Sequence, residues 1–321
     1  MGKERIWRVC MLKLYCSESG ILKECSQAKP QDALWIDAIA PSSDEVDLLN
    51  RLFKIQYPDV ADCLDPNERS RVELDEDYDF VVLRSLLKKA HEMDPAQTMP
   101  IGIFVTPDRI ITVRIVATFD GKDLLADVKR KPKINDKSDL FLSIVRRANK
   151  DIDRYVRPLE GKISLTQKAV FTQEKAELAE DAYTMNSDLI LLNTSLLSNF
   201  NAVSQIPRTR HLKFSEEQVD FLEDIENDVA QMYDMTTVYR EIMSNVLRAY
   251  ESDIANNLSS IMKILTSISL ILMLPTLIAS LYGMNIALPF ENDPYAFWIV
   301  ISFTAIAVAI LWILFRVKKI F

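Results

Sequence analysis

Apolar positions change their spacing along the chain, and each change marks a different kind of element. Residues 5–15 read as a strand (Ile6, Val9, Met11, Leu14), and residues 34–38 as a second, buried one. Ser42-x-x-Glu45 has the form of a capping box and opens a helix predicted to run to about Phe53. Residues 71–73 with 80–86, and 101–106 with 109–115, supply further strands, the last pair joined by a turn at Pro107-Asp108. This is the pattern of a small α/β domain. Helical spacing follows over 139–168 and 172–200, with Pro158 and Gly161 marking where the first stretch breaks.

Between Pro207 and Pro275 there is neither proline nor glycine. Ser215 and Gln218 form a second capping box. Beyond it apolar residues recur every three or four positions, at Val219, Leu222, Ile225, Val229, Met232, Met235, Tyr239, Ile242 and Val246. That spacing predicts an amphipathic helix with a coiled-coil-like seam. Uninterrupted to Leu281, such a helix would measure about 100 Å at 1.5 Å per residue. A break at Thr236-Thr237 is the alternative.

The spacing then gives way to continuous apolar sequence over 264–281 and 295–315, each close to the roughly 20 residues that cross a ~30 Å hydrocarbon core. Between 264 and 315 the only formal charges are Glu291 and Asp293. Lys263 precedes the first run, Arg316, Lys318 and Lys319 follow the second, and the connecting segment has no Lys or Arg. The excess of basic residues places both termini in the cytosol and the acidic loop outside. Residues 1–8 lead straight into the strand pattern with no apolar signal region, so the soluble part is expected to stay unexported.

The first span carries a stripe that hydrocarbon alone does not ask for. Asn257, Ser259, Met262, Thr266, Ser269, Met273, Thr276 and Ser280 fall mostly three, four or seven apart, on one helix face. Two readings fit: tight helix–helix packing, or the lining of a pore built from several copies of the chain.

Charge narrows the chemistry. Of 321 residues, 38 are basic and 46 acidic, a net charge of −8 that argues against nucleic acid as a partner. Cys10, Cys16, Cys25 and Cys63 show no CxxC spacing, so free thiols and no structural zinc are expected. No phosphate loop, dinucleotide fingerprint or nucleophile–base pair is present, so no enzyme activity is predicted. The start of the long helix is acidic (Glu216, Glu217, Asp220, Glu223, Asp224, Glu226, Asp228, Asp234), with no basic residue on it before Arg240. The N-terminal region adds Asp59, Asp62, Asp65, Glu73, Asp75, Glu76, Asp77 and Asp79. Both sets read either as solvated surface or as places for a divalent ion between subunits.

At the outer end of the first span stands Tyr282-Gly283-Met284-Asn285. It resembles the signature of the CorA family of divalent-cation channels. Met262-Lys263-Ile264-Leu265-Thr266, Met273-Leu274-Pro275-Thr276 and the loop Pro289-Phe290-Glu291-Asn292-Asp293-Pro294-Tyr295 are similar to that family's span entry, mid-span segment and outer loop. Trp35-Ile36-Asp37 with Pro41 is similar to its opening pattern. The resemblance implies a homopentameric Mg²⁺ channel shut by cytosolic Mg²⁺. It implies a filter at Gly283, Met284 and Asn285, and a pore lined by Thr276, Met273, Leu265, Met262 and Ser259. Glu291 and Asp293 would gather cations at the mouth, and the candidate regulatory ligands are Glu216, Glu217, Asp220, Glu223 and Asp224. Gly283 is expected to turn the chain out of the helix.

The implied layout is a cytosolic α/β domain (1–138), a helical hairpin region (139–213), a stalk helix (214–263), a first span with the filter (264–285), an outer loop (286–294), a second span (295–315) and a basic tail (316–321). Partners are further copies of the chain, membrane lipid, and Mg²⁺ as both cargo and regulator. The same architecture carrying Co²⁺, Ni²⁺ or Zn²⁺ is the alternative, with intact Met284 favouring magnesium, since the zinc-moving relatives replace that methionine. A membrane-anchored sensor or scaffold without transport is the alternative of another class.

Overall fold

Residues of β5 (Asp79–Leu86) point alternately to two different cores, and the soluble unit is built around that alternation. In the computed structural model, residues 11–18, 21–25, 32–87, 95–119, 124, 134–169, 175–284, 289 and 294–318 are described. The other strands are β1 (Met11–Glu18), β2 (Ile21–Glu24), β3 (Trp35–Ile39), β4 (Arg71–Leu74), β6 (Thr98–Val105) and β7 (Ile110–Arg114). They form one sheet in the order β2-β1-β3-β7-β6-β5-β4, parallel only between β3 and β7. One face packs Phe80, Val82, Phe104 and Ile111 under the helices α1 (Ser43–Phe53) and α2 (Tyr57–Cys63). The other packs Val81, Leu83, Ile103 and Ile110 under α3 (Lys137–Val156), α5 (Lys175–Val203) and the first part of α6 (Glu216–Tyr282). A sheet covered on both faces needs strands apolar on both sides, and β5 is buried at every position.

Local chemistry sets the element ends. Ser42 and Glu45 form the capping box of α1, and Lys54 closes that helix in the left-handed region at φ 59°. Pro158 separates α3 from α4 (Leu159–Ala169). Ser215 and Gln218 exchange hydrogen bonds at the start of α6, and Gln218 Nε2 also donates to Asp139 Oδ1 on α3 at 2.7 Å. No break occurs at Thr236-Thr237. The two hydroxyls donate to the Tyr233 carbonyl, and Asn193 of α5 donates to both hydroxyl oxygens.

Three further features were not read from the sequence. The strand β2 and the helix α2 are both short. Gly102 lies where a Cβ would stand 2.0 Å from Cys63 Sγ, so only glycine lets α2 approach β6 this closely. Cys16 and Cys25 are joined as a disulfide with Cα atoms 6.1 Å apart, which corrects the expectation of free thiols. Cys25 follows β2, where its N–H bonds the Leu14 carbonyl, and this hairpin closure brings the two cysteines together. Among the described cysteines only Cys63 is free, and Cys10 lies outside the described residues.

The chain divides into two compact units, Met1–Leu247 and Arg248–Phe321. The second holds the remainder of α6 and α7 (Ala296–Val317), both long and apolar enough to cross a membrane.

Candidate functional site

Over residues 264–282 of α6 the covered positions are Ser267, Ile271, Leu274, Pro275 and Ile278, which share one helix face. Those of α7 include Val300, Thr304, Ala307, Leu311 and Phe315, again one face. This is the pattern left by two helices laid side by side. Ser267 is the most deeply buried of them, at 4% exposure. Met262, Leu265 and Met273 lie on the opposite face of α6, at 52%, 56% and 64% exposure, and Ser259 and Thr276 are exposed with them. The stripe therefore plays no part in packing the two spans of one chain together. An open hollow of about 360 Å³ lies on it, lined by Leu272, Met273, Thr276, Leu277 and Ser280.

The stripe's hydroxyls are oriented. Ser269 Oγ donates to the Leu265 carbonyl and Thr276 Oγ1 to the Leu272 carbonyl, both at 2.9 Å. At the outer end of α6, the Gly283 N–H still bonds the Ala279 carbonyl at 3.0 Å, and the Met284 N–H bonds Leu281 at 3.3 Å. The helix ends at Tyr282 and Gly283 stands in the turn that follows, as expected, without a left-handed backbone. A Cβ added there would meet only main-chain oxygens, the nearest Ala279 O at 3.4 Å. Asn285, Glu291 and Asp293 lie outside the described residues.

The acids of the soluble unit fall into an exposed set and a set with basic neighbours. Glu216, Glu217, Asp220, Glu223 and Asp224 are all exposed. Asp228 shares a cleft of about 210 Å³ with Arg146, Lys150 and Asp153 of α3 and with Arg157, which follows that helix and pairs with Asp153. The acidic start of α6 is thus partly countered by a basic row some 70–80 residues earlier, too distant to read along the helix itself.

In the N-terminal region Arg71 gathers Asp62, Glu68 and Glu73, and these carboxylates outweigh its burial and raise its pKa. Lys54 pairs with Asp77, and Tyr78 donates to Asp59. Asp79 accepts the N–H groups of Arg210 and His211 at 2.8 and 2.7 Å, which fixes the segment leading to α6. Among the described residues no three His, Cys, Asp or Glu side chains converge as metal ligands within the chain.

Asp37, quoted for its place in an opening pattern, is fully buried and paired with Arg114, a partner the sequence reading did not find. Asn199 was missed as well. Its amide bonds the main chain of Arg84 on both sides, along with Asn149 and Ser70, which ties β5 to α3 and α5.

Two apolar helices, a polar stripe turned away from their contact and a soluble α/β unit ahead of them make a distinctive order of parts. The family model described as "CorA-like Mg2+ transporter protein" matches residues 30–319. The chain belongs to the CorA family. Its members are transporters rather than enzymes, and the chain is a membrane protein.

Among curated relatives, the "Cobalt/magnesium transport protein CorA" of Methanocaldococcus jannaschii is 25% identical over 288 residues, spanning 88% of this chain and 90% of that protein. The protein of the same description from Thermotoga maritima is 25% identical over 293 residues, spanning 86% of this chain and 80% of that one. Among solved structures, the complete CorA magnesium transporter of M. jannaschii matches with a TM-score of 0.76 at 23% identity, over 96% of this chain and 98% of that one. CorA and this chain therefore share a fold along nearly their whole length.

Proposed function

We propose that this protein is a homo-oligomeric, pentameric channel for Mg²⁺ uptake, with both termini in the cytosol. The observation that carries the reading is the position of the stripe. Met262, Leu265, Met273 and Thr276 stay uncovered on the face of α6 opposite the one covered at Ser267 and Ile278. One such helix encloses nothing, so a stripe of this kind acquires a role only when several copies turn it toward a common axis. A second pattern on α6 supports assembly. Ile254, Leu258, Ile261, Leu265, Ile268 and Leu272 are all exposed and recur at alternating steps of four and three, the heptad spacing of helices that pack on one another.

Magnesium holds its water tightly, so a filter does better to grip the hydrated ion. Gly283 main-chain carbonyls and Asn285 side-chain carbonyls would offer neutral acceptors to that water. Carboxylates there would bind harder and release more slowly. Met262, Leu265 and Met273 would form apolar rings that close the pore by dewetting. Glu291 and Asp293 would raise the cation concentration at the outer mouth.

Cytosolic Mg²⁺ would close the channel by binding between subunits. Since no acids converge as ligands inside the described chain, candidates such as Glu216, Glu217, Asp220, Glu223 and Asp224 would meet those of a neighbouring copy. The names of the two relatives favour Co²⁺ as a second cargo.

The test is Mg²⁺ entry into proteoliposomes holding the purified protein, alongside Asn285→Ala. Wild type is expected to conduct. The variant is expected to lose uptake while eluting as the same oligomer. Undiminished uptake by the variant removes the filter assignment, and absence of uptake by wild type removes the channel.

A further inference from the structure

Ser269 lies at the centre of the exposed stripe, between the apolar positions Leu265 and Met273, and two helical turns before Thr276. Its hydroxyl proton is committed to the Leu265 carbonyl at 2.9 Å, as that of Thr276 is to Leu272. A hydroxyl bonded back in this way has only lone pairs left to offer, so it faces outward as an acceptor. Water around a cation directs its hydrogens outward and needs acceptors, whereas water around an anion presents lone pairs and needs donors. Ser267 makes the same bond, to the Lys263 carbonyl at 2.7 Å, but is buried on the opposite face. One chemistry thus occurs two residues apart, open on the stripe and closed beneath it.

We propose that Ser269 supplies a ring of acceptors for hydrated cations inside the apolar stretch of the pore, and so sets how readily that stretch stays wet. The proposal rests on the channel reading. A wall of Met262, Leu265 and Met273 alone would exclude water along its length, and a chain of cation-bound waters would lose its partners there. Acceptors at Ser269 divide that dry segment in two. Their orientation also disfavours anions, whose hydration shells would find no donors at this level.

The experiment compares Mg²⁺ entry into proteoliposomes for wild type and for Ser269→Thr, Ser269→Val, Ser267→Ala and Asn285→Ala, with oligomer size checked for each. Thr and Val have the same shape, and only Thr keeps the hydroxyl. Ser269→Thr is expected to conduct within about twofold of wild type. Ser269→Val is expected to fall about fivefold or more, the equivalent of losing one ordinary hydrogen bond at the barrier. Ser267→Ala is expected to match wild type.

Equal entry through the Thr and Val variants overturns the acceptor ring, and so does a loss in Ser267→Ala as large as that in Ser269→Val, which would make helix packing the cause. If these outcomes occur while Asn285→Ala is inactive, only the ring is lost. If Asn285→Ala conducts as well as wild type, the filter assignment has failed separately.

Discussion

Arg114 Nε donates to Asp37 Oδ1 at 2.9 Å, and both side chains are essentially inaccessible to solvent. The pair bridges β3 and β7, the one parallel contact of the sheet, and Thr112 joins the same oxygen at 2.8 Å. Trp35 Nε1 donates in turn to Thr112 Oγ1, so four residues on two strands form one buried polar chain.

Removing one charge of such a pair leaves the other buried and unpaired. Asp37→Asn or Arg114→Met is expected to destabilise the soluble unit by about 3–5 kcal/mol. Chemical denaturation of the purified protein, followed by circular dichroism, measures this. The double variant Asp37→Leu/Arg114→Met is expected to recover part of the loss, because neither charge then remains. A single variant as stable as wild type would contradict the assignment.

Local chemistry made some of this fold legible, and non-local contacts hid the rest. Ser42 with Glu45, and Ser215 with Gln218, announce helix starts because the bonds they make span three residues. The Pro107-Asp108 turn marks the β6–β7 hairpin for the same reason. The partner of Asp37 is 77 residues away, and no periodicity points to it. The helix α2 is only seven residues long and carries Pro58 in its first turn, where the missing N–H costs nothing. At Thr236-Thr237 the helix is held by hydrogen bonds from Asn193 on α5, a partner more than 40 residues away. On the uncovered face of α6 the stripe was legible as a stripe. Whether it was glue between the two spans depended on which face α7 covers, and that only the structure gives.

Topology is open to a direct chemical test. In a background lacking the four native cysteines, a cysteine replacing Asn292 is expected to react with an impermeant maleimide on whole cells. One replacing Lys319 is expected to react only after permeabilisation. The reverse pattern would place the termini outside.

Alkaline pH bears on two phenols, the buried Tyr78 and the half-buried Tyr155. Burial and a hydrogen bond to Asp59 push the Tyr78 pKa up, and burial with Asp188 does the same for Tyr155. A phenol whose pKa is raised on folding contributes its full stability below the unfolded value of about 10, and loses it as pH rises through the folded value. The urea midpoint of the soluble unit is therefore expected to fall as pH climbs past about 10. The Tyr78→Phe/Tyr155→Phe variant is expected to show a shallower fall, and an equally steep one would assign the alkaline loss elsewhere.

Regulation by Mg²⁺ predicts a change in accessibility. Carboxylates of neighbouring copies a few ångströms apart repel by ~1–4 kcal/mol per pair, depending on the effective dielectric. A divalent ion between them would favour the closed assembly by mass action. Millimolar Mg²⁺ is expected to slow trypsin cleavage of the soluble unit, and EDTA to restore it. Equal rates in both, together with currents indifferent to cytosolic Mg²⁺, would discard the sensor and leave the pore standing.

Gly283 has a consequence for how substitutions in this protein are scored. Among the described residues there is room for a methyl group, with the nearest oxygen at 3.4 Å, and its φ lies outside the left-handed region. Judged one molecule at a time, alanine is a harmless guest at 283, and a screen for folding or expression would pass it. No described residue of the single chain asks for glycine at this position, and in the proposed oligomer the demand would come from neighbouring copies. In the channel proposed above, variant effects at the outer end of α6 are therefore to be scored by conduction, a quantity that thermal stability does not report.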